Sequence, residues 1–543
     1  MQKKTISIAL ITLSLLTLGG FYDWAVMLNG VFVCVGIILF YTKNSHVKKL
    51  PGNMFFYGPF IFGIAALLSL ITAVDRAADF IGLMYVATAL LWYYLCYQNG
   101  NETNAGILKT VPYLGAFITC IGLVSLPFPT IYNFFWTADR YGGVFLYPNA
   151  CALFMVIGII ILTHDIKWKK FSIDYVLLAL LVVGLLLSAS RSVELLFVVW
   201  CIYVACKNKN LRKPVLIGLG VLSCGVVLVG FLTGMSSNVS RILKLFSESS
   251  TIWGRLLYDA DGLKILAGHP LGLGYLGYYF IQGSCQNGVY VVRFAHNDFL
   301  QAGLDYGIIA MLAMTAFVIY QIFKGKTDET RREVLAFIAL ASLMDFHLQF
   351  MPILMVGMLC LDYEYSPAPA KQKLPRENYV FLGIFILVFG YFVIPCLCNF
   401  AGNTDMALKW WGSYTQAQID KLCEDIGQDE AEYYGAALIG HNEYATTAYN
   451  VLSYSAALSG DYDRAMELRD KVISLQRYNI DMYIAYDELL IDMMEAAGQD
   501  GDETAYAKLS AKYDELPEKL SMLEETTSPL AYKIKDLPRF SYR

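Results

Sequence analysis

Four residues of this chain pair a reactive or phosphate-seeking side chain with a place where chemistry could occur: His296, Arg191, Arg255 and Arg140. His296 stands in Ala295-His296-Asn297-Asp298-Phe299-Leu300-Gln301, where a long polar stretch runs into an apolar one. Imidazole is the side chain best suited to exchange a proton at physiological pH. A histidine at such a boundary can equally be an interfacial residue that bonds only to its loop. Asn297 or Asp298 can cap the helix that follows. Arg191 lies in Ser188-Ala189-Ser190-Arg191-Ser192, Arg255 in Ile252-Trp253-Gly254-Arg255, and Arg140 in Asp139-Arg140-Tyr141-Gly142-Gly143. Guanidinium stays charged and its planar fork fits phosphate oxygens. The plainer readings are a snorkelling interface side chain for Arg191 and a solvated loop side chain for Arg255. Charge near a bilayer is expensive and is usually paired or functional. Asp345 and His347 stand close together at the end of a short apolar run, where Asp345 either orients an arginine or caps a helix.

These residues sit between apolar runs. The chain is 57% hydrophobic and 16% charged, against about a quarter charged in an ordinary soluble protein. Apolar runs of about 20 residues read as transmembrane helices. They occur at 5–20, 24–41, 54–73, 78–97, 109–126, 149–163, 173–190, 192–206, 214–233, 299–323, 334–346, 350–363 and 379–398. The expected fold class is therefore all-α: a polytopic bundle of about 12–13 membrane helices over residues 1–400. Lysines and arginines recur in alternate loops, at Lys43, Lys48 and Lys49, at Lys167, Lys169 and Lys170, at Lys207 to Lys213, at Lys324 to Arg332 and at Lys371 to Arg376. Positive charge marks the cytoplasmic side. The N-terminus is then cytoplasmic, and the opposite face carries Arg140, Arg191, a large loop of about 234–298 and the C-terminal region.

The segment Pro270-Leu271-Gly272-Leu273-Gly274, the helix start Ala295-His296-Asn297 followed by Phe299-Leu300-Gln301, and Gly307 resemble the motifs of the O-antigen ligase-related (Wzy_C) family of bacterial O-antigen ligases and O-antigen or capsule polymerases. The resemblance covers roughly residues 1–365. It implies a metal-independent, inverting, GT-C-like membrane glycosyltransferase with no cofactor. The donor would be a glycan on undecaprenyl diphosphate and the acceptor a glycan or lipid-linked hydroxyl. His296 would serve the acceptor hydroxyl. Arg191, Arg255 and Arg140, with Asn297 and Asp298, would contact substrate. Where the family has a histidine followed by an aspartate, this chain has Ser342 before Asp345 and a displaced His347, which leaves any direct role there open.

Residues 403–543 hold 26 acidic and 13 basic side chains, a net of −13, while the rest holds 20 and 28, a net of +8. An acidic soluble region thus follows a basic membrane region. Residues 401–543 read as amphipathic helices. Ala448 to Leu475 looks like a tetratricopeptide repeat, with Gly460 as a helix stop and Asp461 as an N-cap. Such a region could bind a protein partner or a glycan, or simply stabilise the chain. Gly272-Leu273-Gly274-Tyr275-Leu276-Gly277 satisfies GxGxxG, but a dinucleotide site needs a strand before it and a helix after it. The expectation is instead a loop that brings backbone close to a ligand. Outer-side aromatics Trp136, Tyr141, Tyr275, Tyr278, Tyr279 and Tyr290 are candidates for stacking on sugars. The acidic composition and the membrane setting exclude nucleic acid as a partner. Two readings of other classes remain: a transporter of lipid-linked glycans, and a non-catalytic scaffold presenting the C-terminal helices.

Overall fold

A computed structural model of the chain describes residues 2–44, 47–166, 172–209, 211–213, 215, 220, 250–364, 371–372 and 375–543. The span expected at 214–233, apart from residues 215 and 220, lies outside the described residues. So do 234–249 of the large loop, and Lys167, Lys169, Lys170 and Lys373 of the basic loops.

The chain is an all-α membrane protein. Among the described residues six helical stretches are long and apolar enough to cross a bilayer: Asp23–Lys43, Met54–Thr72, Arg76–Asn99, Asn101–Ser125, Pro148–Asp165 and Arg376–Phe400. Ile173–Ser188 and Ile308–Lys324 are shorter apolar helices. Pro148–Asp165 forms the centre of the bundle. Sixteen consecutive residues, Pro148 to Thr163, are buried, as expected of a helix that is apolar all round. Pro148 occupies the first turn, where its missing N–H costs nothing.

The run expected as one helix over 299–323 is two, Asp298–Tyr306 and Ile308–Lys324, broken at Gly307. Gly307 has φ +90° and a Cβ there would stand 2.7 Å from the Pro270 carbonyl oxygen, so only glycine fits. The break is filled by the Pro270–Gly274 loop. Ile308 N–H donates to Pro270 (3.0 Å), Leu273 N–H to Leu304 (2.8 Å) and Gly274 N–H to Asp305 (2.9 Å). Gly272, at φ +88°, would bring a Cβ to 2.5 Å from the Asp305 oxygen. Gly272 and Gly307 therefore allow the loop and the broken helix to approach closely. The loop consequently holds the helix that begins just after His296.

The C-terminal region consists of successive helices: Thr404–Trp410, Thr415–Leu422, Gln428–His441, Thr446–Leu458, Tyr462–Leu475, Ile480–Asp500 and Glu503–Ser521. Between the fourth and fifth, Gly460 takes φ +80° and Asp461 accepts from Arg464 N–H at 3.1 Å, the stop and cap read from the sequence. This region is fastened to the membrane bundle. Asp75, fully buried, caps Arg76–Asn99 through Ala78 N–H (2.9 Å) and accepts from Thr415 Oγ1 (2.6 Å) and Asn442 Nδ2 (2.9 Å). Tyr414 donates to Asp23 at 2.7 Å.

Candidate functional site

One buried carboxylate gathers the site. Asp345 lies in the turn between helices Glu329–Ser342 and Met351–Leu359 and is fully buried. His296 Nδ1 stands 2.9 Å from its Oδ1. Arg255 donates to Oδ2 at 3.3 Å and Asn149 Nδ2 donates to the same oxygen at 2.5 Å. The Tyr147 hydroxyl lies 2.9 and 3.0 Å from the two oxygens, and Phe346 N–H donates to Oδ1 at 2.9 Å. Burial pushes the carboxyl of Asp345 up. The His296 hydrogen bond and charge, with the charge of Arg255, prevail and hold it well below the usual carboxylate range. It is therefore a permanent anion at physiological pH.

That anion has a chemical consequence for His296. A carboxylate at Nδ1 selects the Nδ1–H tautomer and leaves Nε2 as the basic nitrogen. The His296 side chain is 20% exposed, so the ring is held from behind and open in front. Phe346 and Tyr258 flank it, with ring centres 5.4 and 5.8 Å away.

The arginines join through Asn149, the second residue of the central helix. Its Oδ1 accepts from Arg140 at 2.8 Å and from Ser190 Oγ at 2.8 Å. Arg140 also donates to the Ser188 carbonyl at 3.1 Å. Arg191 follows Ser190 directly, and Glu194, one turn on, lies within electrostatic reach of both Arg140 and Arg191. Leu146 and Ala189, at φ 52° and 46°, turn the chain just before Asn149 and Ser190. The structure thus brings His296, Arg255 and Arg140 onto one hydrogen-bonded network and sets Arg191 at its edge.

Asn297, not Asp298, caps the helix: its Oδ1 accepts from Phe299 and Leu300 N–H, both at 3.1 Å. Asp298 is 3% exposed and accepts from Leu348 N–H at 2.8 Å, bracing the turn that carries Asp345. Asp298 also borders an apolar cavity of about 190 Å³, walled by Phe62, Tyr85, Phe317, Ile338 and Met358 among others. Of the six aromatics expected to stack on sugars, Trp136, Tyr141, Tyr275, Tyr278 and Tyr290 are buried. Tyr279 is the one that stays exposed.

Sequence reasoning gave Tyr147, Asn149, Ser190 and Asp259 no role in the site, and took Pro148-Asn149 only as the start of a helix. Tyr147-Pro148-Asn149 was legible as a helix start, and its polar ends were the available signal. Asp259 stands one turn after Arg255. Burial raises its carboxyl to about 6, against the lowering effects of His296, Asn297 and Arg255. His347 is 1% exposed. Burial pushes its imidazole down to about 4, Asp345 opposing and Arg255 and His296 adding to the fall, so it is neutral at physiological pH.

Residues 176–315 match the Wzy_C family model, described as O-antigen ligase. This stretch contains Arg191, Arg255 and His296; Arg140, Asn149 and Asp345 fall outside it. A curated relative, an uncharacterised 49.5 kDa protein in the cps region of Klebsiella pneumoniae, is 26% identical over 231 residues. The match covers 41% of this chain and 50% of that protein, so the chain spans about half the length of this relative. No solved structure matches the chain.

Proposed function

From the match of residues 176–315 to the O-antigen ligase family model, we propose a membrane glycosyltransferase that acts in cell-surface polysaccharide synthesis. The donor is a glycan on undecaprenyl diphosphate, and the reaction takes place on the outer face of the membrane. The observation that carries this reading is the convergence of His296 and Arg255 on Asp345, at 2.9 and 3.3 Å.

The acceptor hydroxyl lies against His296 Nε2. As its oxygen bonds to the anomeric carbon, its proton passes to Nε2, and the bond from that carbon to the diphosphate oxygen breaks. Attack from the face opposite the diphosphate inverts the anomeric centre. Asp345 stabilises the imidazolium that forms. Arg255, Arg191 and Arg140 face the charge that develops on the departing diphosphate, in the manner of preorganised electrostatic catalysis. They take the place of a metal cation. Asn297 and Asp298 hold the helix start and the Asp345 turn in register. The apolar cavity beside Asp298 is suited to a prenyl chain, since its walls are hydrocarbon and aromatic.

Ligase and polymerase differ only in the acceptor and share this chemistry. The C-terminal helices, read as an outer-face repeat domain, would meet a glycan or a protein partner. The test is glycan transfer by the purified protein in lipid with EDTA present, using an undecaprenyl-diphosphate oligosaccharide. Wild type should release undecaprenyl diphosphate and extend or relocate the glycan. Arg255→Ala and His296→Ala should not. Equal activity in both variants would remove the site, and no transfer by wild type would favour the transporter or scaffold reading.

A further inference from the structure

The last part of the chain reaches the site. After the helix Glu503–Ser521 and a 3-10 turn, the strand of chain from Ser528 to Asp536 runs across the outer loop. Ser528 N–H donates to the Asn287 carbonyl at 3.0 Å. Ala531 is fully buried, and Ile534 is 7% exposed. Both belong to a cluster with Leu257 and Tyr290, against which Trp253 and Tyr258 pack. Lys533 Nζ stands 4.3 Å above the Trp253 ring, and Asp536 lies within electrostatic reach of Tyr258.

Of the contacted residues, Trp253, Leu257 and Tyr258 belong to the helix Ser250–Gly268, which carries Arg255. Trp253, Leu257 and Tyr258 flank Arg255 at positions −2, +2 and +3, so they define the helix face against which the tail packs. On the loop side Asp261 accepts from Asn287 N–H (3.0 Å), Asn287 Nδ2 (2.7 Å) and the Tyr290 hydroxyl (3.0 Å). The helix is thereby held between the loop that leads to His296 and the C-terminal tail. A turn of one residue about its axis would swing Arg255 by about 100°, away from Asp345. Packing at this seam is close: a Cβ at Gly288 would stand 2.7 Å from the Ala531 Cβ.

We propose that the C-terminal segment Ser528–Asp536 is a working part of the transfer site. It seats the Arg255 helix so that the guanidinium meets the donor diphosphate, with Ala531 and Ile534 as positioning residues. This rests on the glycosyltransferase reading above. It assigns to the C-terminal region a role in donor binding that is separate from any partner it takes.

The experiment uses the full chain in lipid and measures transfer while donor and acceptor concentrations are varied separately. Ala531→Asp from the tail side and Gly288→Val from the loop side should both raise the donor KM by about tenfold, the scale expected of a small misplacement. The acceptor KM should not change. Ile534→Ala, a milder change, should shift the donor KM in the same direction by less. Ala531→Ser should restore it. Arg543→Ala, which removes the distal ion pair with Asp487 and the contacts with Tyr513 and Tyr542, should leave both constants unchanged. Thermal unfolding of each variant gives the folded fraction. A loss of kcat that merely follows that fraction, with the donor KM unmoved, would overturn the inference while leaving the transferase reading intact. Absence of transfer by wild type would overturn both.

Discussion

Asp345 and Asp75 are both fully buried, and each ties together parts of the chain that are far apart in sequence. Their donors differ in kind. Asp75 accepts from a backbone N–H, a threonine hydroxyl and an asparagine amide, all neutral groups that hold one proton state across the physiological range. Asp345 accepts from an arginine and faces a histidine nitrogen, as well as from a tyrosine, an asparagine and its neighbour's N–H. A carboxylate met only by neutral donors is a fastener. A carboxylate that orients a titratable ring, open on its other side, is arranged for proton transfer. The two aspartates therefore separate what holds the C-terminal region in place from what the site does.

The sharpest break in that comparison is at Asp345. Asp345→Asn keeps the side-chain shape but removes the anion that fixes the His296 tautomer. Transfer should fall by about a hundredfold or more, the range lost when general acid–base catalysis fails, with unfolding little changed in comparison. Initial rates under saturating donor check this. Asp75→Ala should do the reverse. It leaves the Thr415 hydroxyl and the Asn442 amide without their acceptor, at a cost of about 1–3 kcal/mol. Thermal unfolding should move down while the rate per folded molecule holds. A large rate loss with Asp75→Ala would erase the distinction drawn here.

Smaller effects come from pH. Asp259 has a folded value near 6 against an ordinary 3.8, so its contribution to stability is complete below 3.8 and is lost as pH rises through 6. Asp259→Asn should therefore gain stability over wild type above pH 6 and lose that advantage toward pH 4. His347 has a folded value near 4 against an ordinary 6.5. The unfolded chain binds the proton first, so stability is present above 6.5 and declines as pH falls toward 4. His347→Leu should remove that decline. Unfolding of both variants from pH 4 to 7 shows whether the two slopes have opposite signs.

Much of the site was legible because its residue types stand out where they lie: His296 and Arg191 at the ends of apolar runs, and Arg140 and Arg255 in the polar stretches between them. The carboxylate that gathers them was not. Asp345 lies 49 residues from His296, 90 from Arg255 and 196 from Asn149, and no local spacing encodes such contacts. The break at Gly307 was hidden for another reason. Hydropathy averaged over 299–323 stays high, and the residue that needs a left-handed backbone is fixed by the Pro270 loop packed against it. Charge separated an acidic region after residue 402 from the rest. It carried no sign that Ala531 would lie against the helix of Arg255. For five of the six aromatics expected to stack on sugars, position in the loops suggested binding where packing uses them as core.

The measurement that bears most directly on the His296–Asp345 pair is a double-mutant cycle on the transfer rate, with wild type, His296→Ala, Asp345→Asn and both together in the same lipid. If Asp345 acts through His296, the double variant is no slower than His296→Ala alone. If the two losses multiply, Asp345 acts independently of the histidine, and the account of the site as an oriented base is wrong.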